Sequence, residues 1–523
     1  MHQKSKQAFY ITTPIYYVND IPHIGHAYTT VAADIAARYR RLEGYQVFFL
    51  TGTDEHGQKV EKAAQERGVD PKSHWDEMVK RFQSLWKRLN ISNNDFIRTT
   101  EPRHKKVVQK ILQDLYDRGE IYSDNYDGWY CIPCERFWTE KDLTDGKCPD
   151  CLRSVTEISE KNYFFRMSNY QSWLIENIEK NERFILPPSR RNEILGFLRS
   201  PLEDLCISRP KKRLSWGIEI PFDTDYVTYV WFDALINYVS GIEYGSDEEL
   251  FSTFWPEAIH LIGKDILTTH TVYWPTMLRA SGLTPPKMVF AHGWWTVEGK
   301  KMSKSLQNVV EPNRLIDTYG VDAVRYFLMR EVPFGTDGDF SHAAMVHRIN
   351  SDLANDLGNL FSRTLSMVVR YLDGLIPTSS NLQEVDRSLQ ELSGKVLQQL
   401  SDQMDDLAFN KALSSVWEMV NATNKYVDET APWSLAKEEK DRPRLDTVLY
   451  QALESLRIIA LFIAAFMPST SEKMWSQLGI EENLWEQNRI ENGKWGGLKP
   501  GRTVTKPMPL FPRIDPSKIS QGA

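Results

Sequence analysis

Residues 9–51 read FYITTPIYYVNDIPHIGHAYTTVAADIAARYRRLEGYQVFFLT. Residues 9–13 are patterned like a strand, residues 27–42 repeat apolar side chains at helical spacing up to Gly44, and residues 45–51 form an apolar strand. Strand, helix, strand in that order predicts a βαβ unit, since parallel strands need a long crossover. Between the first strand and the helix stands Pro22-His23-Ile24-Gly25-His26. A strand end meeting a helix N-terminus is an anion site, because free backbone N–H groups and the helix dipole converge there. Imidazoles at that point can donate to phosphate oxygens as charge develops, and Gly25 lets a flat adenine approach the backbone. Two histidines that only cap the helix would read the same way.

Strand-like alternation returns over residues 225–230 and is followed by 258–262, a helix ending near Gly282, and 288–291. One parallel sheet split in two along the chain is expected. The fold class is therefore α/β plus all-α, with residues 1–118 and 225–290 as the halves of a Rossmann-type domain. Residues 119–224, rich in aromatic and basic side chains and carrying the clustered cysteines, read as an insertion. A connecting region with a lysine-rich loop spans 291–345, a helical bundle spans 346–498, and a proline-rich tail over 499–523 is expected to lie extended on the body.

Composition narrows the function classes. With 523 residues, 41% apolar and 25% charged, the chain is an ordinary multidomain globular protein. A net charge of -7 argues against indiscriminate coating of nucleic acid, which needs a cationic face. Any RNA contact must be local, at clusters such as Arg190 and Arg191, Arg209 to Arg213, or Arg348, Arg363 and Arg370. The most apolar stretch, residues 456–467, contains Arg457 and stops at Pro468, short of the roughly 20 residues that span a bilayer. It reads as a buried helix, with no membrane partner. The polar N-terminus has no apolar signal core, so a cytoplasmic protein is expected.

Two further motifs carry chemistry. Lys301-Met302-Ser303-Lys304-Ser305 follows Gly299 and Lys300 in a loop beyond the last strand, where flexible lysines can neutralise β- and γ-phosphates as pyrophosphate leaves. A lysine-rich surface loop is the plainer alternative. Cys131 and Cys134, then Cys148 and Cys151, form two CxxC knuckles. Four soft thiolates make a closed tetrahedral zinc site, and a closed site is structural. Cys206, left over, reads as a small buried hydrophobe. In the helical region, Asn359 and Arg363 are four apart on one helix face, and Trp433 follows Pro432 at a helix start. Such groups can read the edges of unpaired bases and stack on one, although surface and core positions look alike here.

The two signatures, their order, and the insertion between two sheet halves resemble the class I aminoacyl-tRNA synthetases. Residues 10–26, residues 48–58, Tyr229-Val230-Trp231-Phe232-Asp233-Ala234, and Gly263-Lys264-Asp265-Ile266 with His270 and Trp274 are similar to the methionyl-tRNA synthetases. The similarity extends from about Phe9 to Ile514. It implies ATP-dependent activation of L-methionine to the adenylate and transfer to the 3' end of tRNA(Met). The implied catalytic groups are His23, His26, Lys301 and Lys304, with Gly25, Gly263, Asp265, Met302 and Ser303 around ATP, Asp265 at the ribose. Around methionine the resemblance implies Ile15, Tyr17, Asp54, Trp231, Ala234, Leu235, Tyr238, Ile266 and His270, with Asp54 on the ammonium; Leu235 stands where some members have proline. An aromatic cage suits an unbranched thioether, since sulfur gains roughly 0.3–1.5 kcal/mol at ring edges.

Asn359, Arg363 and Trp433 match the family's anticodon readers, residues 291–345 include its stem-contact region, and the insertion its acceptor-end domain. Mg(2+) with ATP and one structural Zn(2+) are the implied cofactors. A monomer is expected, because nothing after Pro512 could form the dimerising module of longer relatives. Two rivals remain at this point: a class I synthetase for another apolar amino acid, and a catalytically silent zinc-containing RNA-binding relative.

Overall fold

The structure is a computed structural model that describes residues 7–131, 136–138, 140–149, 152–297, 299–302 and 308–518. At its centre lies a six-stranded parallel sheet in the spatial order Asp95–Arg98, Gln46–Asp54, Ala8–Tyr17, Ala258–Gly263, Met288–His292, Ile185–Leu186. The two halves meet along the first strand, where Tyr10, Ile11 and Thr12 pair with Ala258, Ile259 and His260. Thr12 and His260, 248 residues apart in sequence, share a buried hydrogen bond. The helix Ile24–Leu42 crosses from the first strand to Gln46–Asp54 and is buried along nearly its whole length, because sheet and helical domain cover opposite faces.

The sheet differs from expectation in two places. The strand expected at 225–230 exists as Asp223–Thr228, but it pairs antiparallel with Ser208–Pro210 and Glu219–Ile220, outside the parallel sheet. Alternation reports one buried face and carries no information about strand direction. Residues 230–235 form a helix instead. The sheet's last strand, Ile185–Leu186, comes from within the inserted segment and pairs with Val289 and Phe290. The rest of that segment is dominated by a long antiparallel hairpin, Ile121–Cys131 with Thr156–Phe165.

C-terminal to the sheet, helices such as Glu384–Asp405, Phe409–Thr430 and Arg442–Ile463 pack together. The apolar run ending at Met467 is fully buried. Arg457 is tolerated there because Glu454 and the carbonyls of Asn492 and Lys494 accept from its guanidinium at 2.6–2.9 Å. Pro468 opens the next helix. Among the described residues no helix is long and apolar enough to cross a membrane. The tail runs extended over the bundle: Thr503 bridges Leu375, and the Ile514 N–H donates to Asn350 Oδ1 at 2.9 Å. Parallel-sheet and helical parts are tied by buried Arg325, which donates to Asp34 Oδ2 (2.7 Å) and to the carbonyls of Leu89, Ala465 and Phe466.

Candidate active site

A cavity of about 510 Å3 opens at the carboxyl ends of the parallel strands, where Tyr17, Asp54, Gly263 and His292 finish their strands. His23 is the N-cap of the helix Ile24–Leu42, and both signature histidines take part in capping it. His23 Nδ1 accepts from the Gly25 N–H at 3.1 Å, and His26 Nδ1 accepts from the His23 N–H at 3.2 Å. These bonds select one tautomer: with Nδ1 accepting, each neutral ring carries its proton on Nε2. The rings stack with centroids 3.8 Å apart, and both line the cavity. Burial pushes both below the usual histidine value, and for His26 the neighbouring His23 adds to the effect. Gly25 is required by this packing, since a Cβ there would lie 2.9 Å from His23 Cε1.

Every residue expected around methionine lines the same cavity: Ile15, Tyr17, Asp54, Trp231, Ala234, Leu235, Tyr238, Ile266 and His270. His270 Nδ1 donates to the Ile266 carbonyl at 2.9 Å, so Nε2 accepts from the Tyr238 hydroxyl at 2.8 Å. Burial lowers His270 to about 4, keeping the ring neutral. Tyr238 stacks on His260 at 4.0 Å, and Trp231 meets His270 edge-on at 6.2 Å. The short helix bearing Trp231 and Ala234 is anchored through Asp233, whose carboxylate accepts from His56 Nδ1 and His104 Nε2, each at 2.7 Å. Burial would raise Asp233, but the two histidines outweigh it and hold the group at about 2.

Gly263 and Asp265 also line the cavity, and a Cβ on Gly263 would sit 2.5 Å from Asp265 Oδ1. Met302 also lines it. Lys301 belongs by its backbone to a short strand, Lys300–Lys301, paired with Trp295–Val297; its side chain, and Ser303 and Lys304 altogether, lie outside the described residues.

Sequence reasoning overlooked several lining residues. Tyr16 packs edge-on against His26 at 4.8 Å, and His292 Nε2 accepts from the Thr29 hydroxyl at 2.6 Å. Trp294 donates from Nε1 to Asp265 Oδ1 at 3.0 Å. Asn237 donates to the Ala234 carbonyl while its buried Oδ1 has no partner among the described residues. His292 and Trp294 stand at and just beyond a strand's carboxyl end, a position at which such sheets bind ligands, so a signal was present.

In the insertion, Cys131 and Cys148 are fully buried. Around Cys148 the chain turns back on itself, with the Leu152 N–H on the Cys148 carbonyl (2.8 Å), the Cys148 N–H on the Arg153 carbonyl (3.0 Å), and Leu152 in the left-handed region. Cys134 and Cys151 lie outside the described residues. Two buried thiols, one of them on a tight turn, fit a thiolate metal knuckle. Cys206 is buried as expected. In the bundle, Asn359 lies at the join between Ile349–Asn359 and Leu360–Leu372 and is exposed. Arg363, one turn on, binds Asp428 (2.6 Å) and Asn424 near the end of the helix that leads to Pro432 and the exposed Trp433.

A nucleotide-type sheet interrupted by an insertion, its histidine-capped helix and lysine hairpin flanking one cavity, and a helical domain behind it form the architecture of a class I aminoacyl-tRNA synthetase. The family model for class I tRNA synthetases (M) matches residues 9–159 and 152–365, and that for the anticodon binding domain of methionyl tRNA ligase matches 376–521. The methionine–tRNA ligase of Caldanaerobacter subterraneus subsp. tengcongensis is 53% identical over 98% of this chain and 80% of its own length; that of Thermotoga maritima is 48% identical over 97% and 80%. Mycobacterium tuberculosis methionyl-tRNA synthetase solved with methionyl-adenylate superposes with a TM-score of 0.93 at 42% identity, covering 97% of this chain and 100% of that one. The chain belongs to the methionyl-tRNA synthetase family.

Proposed function

We propose that the cavity takes MgATP and L-methionine together and forms methionyl adenylate there, before the methionyl group passes to tRNA(Met). The observation that carries this reading is the shared cavity: the histidine signature, Asp265, Met302 and the aromatic cage all face one space. In the first step a methionine carboxylate oxygen bonds to the α-phosphorus as the bond to pyrophosphate breaks. The carboxylate is already an anion, so no general base is needed. His23 and His26 donate from Nε2 to phosphate oxygens, and being uncharged they cost little desolvation in a buried site. Asp54 holds the ammonium, Lys301 and Lys304 neutralise the departing pyrophosphate, and Mg(2+) arrives with ATP as part of the substrate. In the second step the 2'-hydroxyl of the terminal adenosine attacks the acyl carbon and AMP leaves.

The cage selects methionine by shape and by the Tyr238–His270 pair, whose polar edges penalise a purely aliphatic rival. Cys131, Cys134, Cys148 and Cys151 would hold one zinc ion, whose role is to fix the insertion's tip. Asn359, Arg363 and Trp433 read the anticodon, Arg363 exchanging its contacts with Asp428 and Asn424 for bases. The cytosol suits this chemistry, since a thiolate site there stays reduced.

The test is amino-acid-dependent ATP–pyrophosphate exchange across the twenty amino acids. Methionine should support exchange at least about 100-fold better than leucine, isoleucine or valine, the discrimination expected of a polar-edged pocket. Exchange driven best by another amino acid, or by none, overturns the reading.

A further inference from the structure

Trp294 sits half-buried at the nucleotide end of the cavity, where the ribose side of the site meets the base of the signature hairpin. Its indole N–H donates to Asp265 Oδ1 at 3.0 Å, and its backbone N–H donates to Asp337 Oδ1 at 2.8 Å. Lys264 joins these two ends: its ammonium lies 4.2 Å from the indole ring centre and pairs with Asp337 Oδ2 at 2.7 Å. The next residue, Trp295, begins the strand that pairs antiparallel with Lys300–Lys301 and parallel with Gly338–Phe340. Asp265 itself stands on a short turn, Lys264–Ile266, after a glycine that leaves its carboxylate room. An aspartate so placed can rotate about χ1 unless something holds it, and the indole N–H is a side-chain donor that does so.

We infer that Trp294 is a positioning residue: it aims the Asp265 carboxylate at the ribose hydroxyls and ties that aim to the hairpin carrying the lysine signature. This rests on the reading of Asp265 as the ribose group. With the indole engaging Oδ1, the inference assigns Oδ2 to the hydroxyl donors. A nucleotide lacking a hydroxyl then leaves an aligned acceptor unpaired, which is how a site rejects a deoxy substrate. Preference for ribonucleotides thus depends on the Trp294–Asp265 bond, and the clasp through Lys264 and Asp337 makes ribose binding and hairpin position parts of one unit.

The experiment compares ATP with 2'-deoxy-ATP and 3'-deoxy-ATP in methionine-dependent pyrophosphate exchange, using the wild-type chain, Trp294→Phe and Asp265→Asn. Trp294→Phe keeps an aromatic ring near Lys264 while removing the indole N–H donor together with part of the ring volume. It should raise KM for ATP about tenfold and cut the preference for ATP over one deoxy analogue about tenfold, as loss of one charge-assisted hydrogen bond predicts. KM for methionine and the thermal midpoint should stay unchanged. Full retention of the ribonucleotide preference in Trp294→Phe, while Asp265→Asn loses it, overturns the inference and leaves the site reading intact. Full retention in Asp265→Asn overturns both. Should Trp294→Phe fold poorly, Asp337→Asn replaces it: loosening the Lys264–Trp294 clasp should give a smaller loss of preference, and no loss overturns the inference.

Discussion

At the mouth of the first helix each signature imidazole uses one nitrogen to hold the backbone, and the proposal assigns the other to a ligand. The capping role and the phosphate role proposed for these rings therefore use opposite sides of the same structure, and Gly25 is what makes the packing fit. Gly25→Ala forces the His23 ring away by a few tenths of an ångström or more. Displacements approaching 1 Å cost roughly 100-fold in rate, so adenylation measured by pyrophosphate exchange should fall by up to about that factor while KM for methionine stays put; an unchanged rate contradicts the account. In the cage, Tyr238→Phe leaves His270 Nε2 without its donor and should raise KM for methionine about tenfold, read in the same assay. Histidines held neutral by desolvation also set an acid limit. His23, His26, His260, His270 and His292 are all lowered by burial, His270 to about 4. Below the unfolded histidine value of about 6.5 the unfolded chain takes up protons that the folded chain refuses. Their contribution to stability is thus complete above about pH 6.5 and drains away as pH falls toward about 4. Urea midpoints at pH 7, 6, 5 and 4.5 should decline in that window, and a flat series would argue that the rings are not buried neutral.

Elements were legible where a short contiguous run carries both the period and its punctuation. The first strand, the helix capped at His23 and closed at Gly44, and the run ending at Met467 all announce themselves within about twenty residues. What stayed hidden depends on partners far along the chain. Ile185–Leu186 is too short to show a period, and only its pairing with Val289 and Phe290 makes it a sheet strand. The segment around 225–230 shows a buried face but not its direction, so its antiparallel pairing was not readable. The same holds within the site: most residues near a signature were found, Tyr16 excepted, whereas His292 acts through Thr29, 263 positions earlier, and Trp294 through a bond to Asp265. The cysteine knuckle is an element whose order should depend on metal. If the insertion acts on the acceptor end, as the family resemblance implies, Cys148→Ser should abolish zinc, measured as metal per chain, and lower tRNA charging much more than pyrophosphate exchange; equal loss of both would contradict that division.

Among the described residues, the fully buried guanidinium of Arg325 joins the parallel-sheet part to the helical bundle, as that of Arg489 does through Glu43 and Ser401. Arg325 reaches Asp34 on the first helix, the Leu89 carbonyl, and the carbonyls of Ala465 and Phe466 in the bundle. Arg38 and Ser92 complete the shell around Asp34, holding its carboxyl below the usual range despite burial. Removing one partner of such a buried pair costs roughly 3–5 kcal/mol, so Arg325→Met should lower the thermal midpoint by several degrees in calorimetry and should begin to uncouple unfolding of the bundle from that of the sheet-bearing part. A midpoint equal to that of the wild type would mean the two parts are held together elsewhere. The account as a whole turns on a single space that receives nucleotide and amino acid at once. Its most direct test is a crystal structure of this chain with a non-hydrolysable methionyl-adenylate analogue. The account predicts the phosphate mimic within hydrogen-bonding distance of His23 and His26 Nε2, the ribose on Asp265, and the thioether among Trp231, Tyr238 and His270. Density for the analogue on any other surface, or a phosphate mimic turned away from both imidazoles, would contradict it.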